Sequence, residues 1–418
     1  MAANSIACSS AITTSADDMI ALLAWLLALP PLIALSIFVL ETLLGLGRLR
    51  EAPPPPGQPE TVILMPAHNE AATIGSTLDR LQPALRQHIR LLVVADNCTD
   101  DTAKIIQSRG HAVVERHDPE NRGKGFALAF GRDHLLASRD ERTLECVVVL
   151  DADCETDAAS LSTLTRTCVA RRVTVQSRNI LREASDAPAK VQMSSFAFWI
   201  KSVVRQRGGM RLGGAALVTG TGTAYPWALL KTLPLATSDI VEDLAIGIHL
   251  TRNRQAPIYL DGASVRSAAA DERATLSQRT RWEHGFLQTA RTFAFSAIHD
   301  GILSRNRKLL HLGLHLLVPP LTLLLLVSLT ALAATGVLAW LGGDWSTFVA
   351  LAVAILLAAA AILLNWAVEG RRWLSARAML QLPLYMVWKL PVYLGFVRGK
   401  SVGWVRTERT DAGTEQRP

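Results

Sequence analysis

Three long stretches without a charged side chain constrain this chain more than any other feature. The first is Ile20 to Leu40 (IALLAWLLALPPLIALSIFVL), the second Leu309 to Leu341, and the third Trp345 to Val368. About 20 consecutive apolar residues cross the hydrocarbon core of a bilayer as a helix, so each run is long enough to span. The first run is too long for the core of a secretory leader, and no basic segment precedes it, so it reads as a retained membrane helix. Pro30-Pro31 and Pro319-Pro320 mark kinks or breaks. A weaker stretch, Met379 to Val397, holds Lys389, Pro383 and Pro391 and is flanked by Arg377 and Arg398. It reads as an interfacial or re-entrant element, with a fourth span as the alternative.

Charge placement gives an orientation. The net charge is +7, and much of the excess base sits beside the apolar runs, at Arg48, Arg50, Arg305, Arg307, Lys308, Arg371, Arg372, Arg398 and Lys400. Basic flanks stay on the cytoplasmic side. No zinc-finger spacing, RNP-type aromatic motif or long basic tract is present, so a nucleic-acid partner is not expected. Cys8, Cys98, Cys146, Cys154 and Cys168 are an odd set without C-x-x-C spacing, which fits reduced cytosolic thiols rather than a disulfide framework.

The expected organisation is a disordered segment over 1–18, a membrane helix over 19–47, and a proline-rich linker over 48–60. A catalytic domain follows over 61–300, with spans over 309–341 and 345–368. An interfacial segment and basic tail occupy 373–418. Within the domain, TVILMPA (61–67), RLLVVAD (90–96) and CVVVLDAD (146–153) are short apolar runs ending at polar residues, with helical spacing between them. Buried strands alternating with helices predict a parallel α/β sheet. Ligands of such sheets bind beyond the carboxyl ends of the strands. That places Asn69, Glu70, Asp96, Asp151 and Asp153 along one crevice.

Five constellations there can carry chemistry, and each has a plainer explanation beside it. Asp151 and Asp153, two apart after a strand, can present oxygens to Mg²⁺ or Mn²⁺, although acidic pairs at turns are common. Asp96 can hydrogen-bond a base or ribose edge, while Asn97 or Thr99 caps the next helix with Asp100 and Asp101 in its first turn. Lys124, flanked by Gly123 and Gly125, can approach a phosphate, or be a surface lysine in an ordinary loop. Glu242-Asp243 opens a helix, where the dipole alone favours acids; one of the pair can also serve as a general base. Gln278, Arg281 and Trp282 suit a diphosphate and a sugar ring, or an amphipathic helix lying at the membrane.

Taken in order, PAHNE (66–70), Asp96, Asp151/Asp153, Glu242-Asp243 and the Q-x-x-R-W box at Gln278/Arg281/Trp282 resemble the family 2 glycosyltransferases. The resemblance is to the membrane-integrated branch that includes cellulose synthase, hyaluronan synthase and exopolysaccharide glycosyltransferases, and covers roughly residues 60–300. It implies a GT-A (Rossmann-like) fold, a UDP-sugar donor, Mg²⁺ or Mn²⁺ and inversion at the anomeric carbon. It implies Asp243 as general base and Asp153 on the metal. Glu70, Asp96, Lys124 and Asp151 fall at the nucleotide-sugar, and Glu242, Gln278, Arg281 and Trp282 at the acceptor and diphosphate. Gly220-Thr221-Gly222 becomes an acceptor-side loop. The implied partners are a lipid-linked or polysaccharide acceptor, membrane lipid and other polysaccharide-assembly proteins, at the cytoplasmic face of the inner membrane. Val241 stands where the family often has Thr, and three spans are few for threading a polymer, which favours single addition to a lipid-linked acceptor. An inactive scaffold subunit and a nucleotidyltransferase are the competing readings.

The basic flanks predict an outside N-terminus and a cytoplasmic C-terminus. A C-terminal reporter should be active in the cytoplasm; one active only outside the cell contradicts the three-span reading.

Overall fold

The structure, a computed structural model, describes residues 16–182, 187–237, 241–267 and 272–398. Expectations for residues 1–15 and for the tail beyond residue 398 lie outside the described residues.

Eight strands form one sheet: β1 (Thr61–Ala67), β2 (Ile89–Asp96), β3 (Ala112–Arg116), β4 (Cys146–Val149), β5 (Cys154–Thr156), β6 (Val175–Leu181), β7 (Thr223–Pro226) and β8 (Ile258–Ser267). Their order is β3-β2-β1-β4-β7-β6-β8-β5. The sheet is mixed, not parallel throughout as expected. β1, β2, β3 and β4 run parallel, but β7 is antiparallel to both β4 and β6, and β5 is antiparallel to β8. The run 146–153 also ends as a strand at Val149. Its neighbour β7 starts only at Thr223, after Gly222 turns with φ of 64°, so Asp151 has no ladder partner.

β1 is buried on both faces. Ile63 and Met65 pack with Ile74, Leu78, Ile106, Leu161 and Leu164 from helices on one side. Val62 and Leu64 pack with Ala127, Leu128, Leu135, Ile246 and Leu250 on the other. This explains why β1 reads as a continuous apolar run rather than an alternation. From β1 the sheet grows in both directions, to β2 and to β4. The space at their carboxyl ends is therefore a topological switch point, where α/β sheets bind ligands.

Among the described residues, three helices are long and apolar enough to cross a membrane: Ala16–Leu44, Leu321–Trp340 and Ser346–Val368. Their exposed positions include large apolar side chains such as Leu22, Leu26, Leu356 and Leu357. The run 309–341 is not one helix. Pro319 and Pro320 divide it into Arg307–Leu316 and Leu321–Trp340, with Pro320 at the cap of the latter. Leu309, Leu312 and Leu316 of the short first piece are buried, the last two in one cluster with Leu217, Leu244 and Ile248 of the α/β domain. The Leu382–Val397 helix has 16 residues, short of the ~20 that span. It exposes Leu384, Val387 and Val397, while Lys389 is fully buried on Glu283 at 2.6 Å.

Helix Ala189–Trp199 continues through one π-helical turn, Ile200–Val204, into Arg205–Arg211. Its second half lies against the end of helix Ala16–Leu44. A Cβ placed on Gly208 would come within 1.9 Å of the Glu41 carbonyl oxygen, a backbone atom that cannot swing aside. Gly208→Ala should therefore force the helices apart at about 1–3 kcal/mol, a typical overpacking cost. A lower thermal midpoint in detergent checks this; an unchanged one contradicts the close packing.

Candidate active site

Loops leaving β1, β2 and β4, together with the 219–223 loop and two helix starts, enclose the site. The first two loops are laced together. Asn69, in the left-handed region at φ 53°, accepts from the Thr99 backbone N–H at 2.7 Å through Oδ1. Glu70 donates its own N–H to Thr102 Oγ1 at 2.8 Å, and its carboxylate accepts from Thr73 Oγ1 at 2.7 Å. The Glu70 side chain thus supports the start of helix Ile74–Leu81. Asp100 accepts from the Thr102 N–H at 3.1 Å and from the Ala71 N–H at 3.1 Å. Helix Thr102–Ser108 is thus capped neither by Asn97 nor by Thr99: Asp100 accepts at its start, while Asp101 occupies the cap position without a side-chain cap bond.

Asp96 is buried at the end of β2, and its Oδ1 accepts from Arg116 Nη1 at 2.7 Å and from Asn97 Nδ2 at 3.1 Å. The same guanidinium reaches Asp118 at 2.7 Å and lies over the Phe126 ring. Arg116, at the end of β3, was not anticipated from the sequence, because twenty residues separate it from Asp96.

The densest cluster sits at the end of β4. Lys124, the first residue of helix Lys124–Ala137, donates to the Asp151 carboxylate and to the Gly220 carbonyl. Gly220 brings Asp243 to the same point: a Cβ there would lie 3.0 Å from Asp243 Oδ2 and 3.2 Å from Lys124 Nζ. The backbone at Gly220 takes φ of 75°, so a side chain is doubly excluded. Buried Gln176 moulds this loop. Its amide donates to the Thr221 carbonyl at 2.9 Å and accepts from the Thr219 N–H at 3.0 Å. Thr221 in turn accepts from the Asp151 N–H at 3.1 Å.

Glu242 and Asp243 open helix Glu242–Arg252. Glu242 is buried, whereas Asp243 is half-buried with Oδ1 on the Leu244 N–H at 2.8 Å. Burial raises both carboxyl groups above the ordinary range, and Asp243 raises Glu242 further; the Lys124 charge pulls both back only partly. Burial works against the Lys124 ammonium, but Asp151 and Glu242 outweigh it and keep Lys124 charged.

Asp153 lies beside Asp151. Potential ligand atoms of Asp151, Asp153 and Cys154 all fall within 4.8 Å of one another. Two carboxylates suit a hard divalent cation. Cys154 does not: burial pushes its thiol up to about 12, and it donates to Asp153 Oδ1 at 3.2 Å.

The Q-x-x-R-W box lies on helix Glu272–Leu303. The side chain of Gln278 is outside the described residues. Trp282 packs on Phe198 with ring centroids 5.4 Å apart. The guanidinium over Trp282 belongs to Arg279, 4.6 Å from the ring, rather than to Arg281. Three residues along a helix bring side chains together; one residue does not. Arg281 is half-buried, and burial lowers its pKa. The structure therefore gathers Lys124, Asp151, Asp153, Glu242 and Asp243 at one place. Glu70 and Asp96 stand on the neighbouring strand ends, and Trp282 lines a separate cavity towards the membrane helices.

Residues 62–224 match the family model described as Glycosyl transferase family 2. No curated protein matches the chain. Among solved structures, a mannosyltransferase from Pyrobaculum calidifontis in complex with GDP-Man and Mn²⁺ is similar over 91% of this chain and 100% of that one, with 19% identity and a TM-score of 0.58. Glucosyl-3-phosphoglycerate synthase from Mycobacterium tuberculosis, in complex with Mn²⁺, UDP-Glc and phosphoglyceric acid, matches over 50% of this chain and 71% of its own, with 21% identity and a TM-score of 0.36. The sheet is that of a GT-A fold, and the match to glycosyl transferase family 2 falls within it, over residues 62–224.

Proposed function

We propose that this chain is an inverting glycosyltransferase that moves a sugar from a UDP-sugar to a lipid-linked or growing polysaccharide acceptor at the cytoplasmic face of the inner membrane. Such a reaction belongs to exopolysaccharide or cell-envelope glycan synthesis. The observation that carries the reading is the convergence of Lys124, Asp151 and the Glu242-Asp243 pair on Gly220, beside Asp153 and next to membrane-type helices.

In this reading the acceptor hydroxyl attacks the anomeric carbon from the face opposite the leaving diphosphate. The new C–O bond forms as the C–O bond to phosphate breaks, the electron pair leaves on the diphosphate oxygen, and the hydroxyl proton passes to a carboxylate. Asp243 takes that proton, because it is half-exposed while Glu242 is buried. Their raised pKa values bring the base closer to neutrality, where general-base catalysis is most effective. Lys124 holds Asp151 and the Gly220 carbonyl in place and keeps positive charge beside the donor. Asp153, with Asp151, would hold Mg²⁺ or Mn²⁺, which when bound offsets the charge of the departing diphosphate. Asp96, fixed by Arg116, and Glu70 border the place for the nucleoside.

The direct test is purified protein in detergent with a panel of UDP- and GDP-sugars and Mn²⁺ or Mg²⁺, read as release of free nucleoside diphosphate. Release of pyrophosphate instead would point to nucleotidyl transfer. An absence of turnover with every donor and acceptor extract would favour a scaffold. Asp153→Ala and excess EDTA should each abolish turnover; full activity in EDTA refutes the metal role.

Asp243→Asn should leave nucleotide binding intact and lower transfer by ~10²–10⁴-fold, the usual size of general-base help. Near-normal turnover in that variant, with Glu242→Gln dead, would exchange the two roles.

The pH profile has a definite sign. A base must be deprotonated, so kcat/KM should rise with pH through a limb above the ordinary carboxylate range. Removing the Lys124 charge with Lys124→Met should move that limb higher still. A limb that stays near pH 4, the unperturbed value for an aspartate, contradicts the assignment.

A further inference from the structure

A cavity of about 70 Å³ lies between the catalytic domain and the membrane-type helices. Its walls combine two kinds of surface. Phe38 comes from the first membrane helix, and Pro319, Pro320 and Leu321 come from the entry to the second, giving an apolar side. Lys201, Arg205 and Arg279 give a cationic side. Arg205 is neutralised by Glu41 at 2.7 Å, and the cavity's one acid, Glu283, is neutralised by Lys389 at 2.6 Å. Among the described residues, Lys201 and Arg279 have no carboxylate ion pair.

Both are nevertheless built in. Arg279 donates to Ser194 Oγ at 2.8 Å and lies over both the Phe198 and the Trp282 rings, 4.9 and 4.6 Å from their centroids. Lys201 lies over the Phe286 ring at 4.9 Å, within the single π-helical turn of its helix. Such turns interrupt a regular helix at a cost and are frequent at functional sites. Burial lowers the Lys201 pKa to about 8, Asp243 opposes this, and Arg205 and Arg279 lower it further. Two built-in cations that share one carboxylate already paired with Lys389, in a cavity whose far wall is apolar helix, call for an anion carried on an apolar chain.

We propose that this cavity takes a phosphoryl group borne on a long-chain lipid acceptor, with Lys201 and Arg279 as its cationic contacts. The chain leaves between Phe38 and Leu321. This rests on the reading of the chain as a glycosyltransferase and specifies its acceptor.

The test compares binding of hexadecyl phosphate, hexadecyl glucoside and inorganic phosphate to the full chain in a neutral detergent, by calorimetry. UDP binding is measured in parallel. Wild type should bind hexadecyl phosphate about 10-fold or more tighter than the glucoside, as expected for charge-assisted contacts. In Lys201→Met and in Arg279→Gln that preference should fall to about 2-fold or less, with UDP binding unchanged. Equal affinity for the two amphiphiles in wild type overturns the proposal, as does a preference that survives both variants. Inorganic phosphate binding as tightly as hexadecyl phosphate overturns the lipid assignment. Failure of UDP binding in wild type counts against the glycosyltransferase reading itself, separately from the amphiphile comparison.

Discussion

One ammonium organises this site. Lys124 Nζ meets a carboxylate from the end of β4 and a carbonyl from the 219–223 loop, with the Glu242-Asp243 pair close by. Without a cation there, three acids would face one another in a partly dehydrated space, and at least one would be neutral. With it, Asp151 has a cationic partner, and the Asp243 carboxyl, raised by burial, is pulled partly back. The two glycines before it matter less for phosphate contact than for direction. Gly123 turns at φ of 131°, and Gly125 sits against the Leu235 carbonyl, so the helix can start with its lysine aimed inward.

A second set of buried charges joins this sheet to the apolar helices. Glu41 of the first helix is fully buried and accepts from Arg205 at 2.7 Å, with His315 Nδ1 at 2.8 Å. Arg207 is buried between Asp261 on β8, at 3.0 Å, and Glu369 after the third helix. Removing one member of such a pair costs roughly 3–5 kcal/mol, since the partner is left charged and dehydrated. The apolar helices are thus bound to the catalytic sheet by charge as well as by packing. That binding places the cavity of Lys201 and Trp282 between them.

Much of this was legible from residue order. Apolar runs ending in polar residues located β1, β2 and β4, because strands buried on both faces cannot hide among polar neighbours. The acidic pairs stood at strand ends and a helix start, where chemistry and capping both favour them, and the structure brings Asp151, Asp153, Glu242 and Asp243 together. The far half of the sheet was not legible. β6 and β8 carry buried polar residues, Gln176, Ser177, Asn179 and Asp261, which read as loop until their partners are known. Nor could spacing show that Arg116 pairs with Asp96, or that Arg279 rather than Arg281 covers Trp282. The first depends on two strands becoming neighbours, the second on the phase of a helix. Pro319-Pro320 was visible, but only packing against the catalytic domain shows that the residues before it form a separate helix.

The central claim is a single displacement assisted by one carboxylate base. The anomeric configuration of the first product formed tests it most directly, read by proton NMR from a donor of known configuration. The account predicts inversion, an α-linked donor giving a β-linked product. Retention of configuration would contradict it, because a retaining path does not use one-step attack by a hydroxyl deprotonated at Asp243.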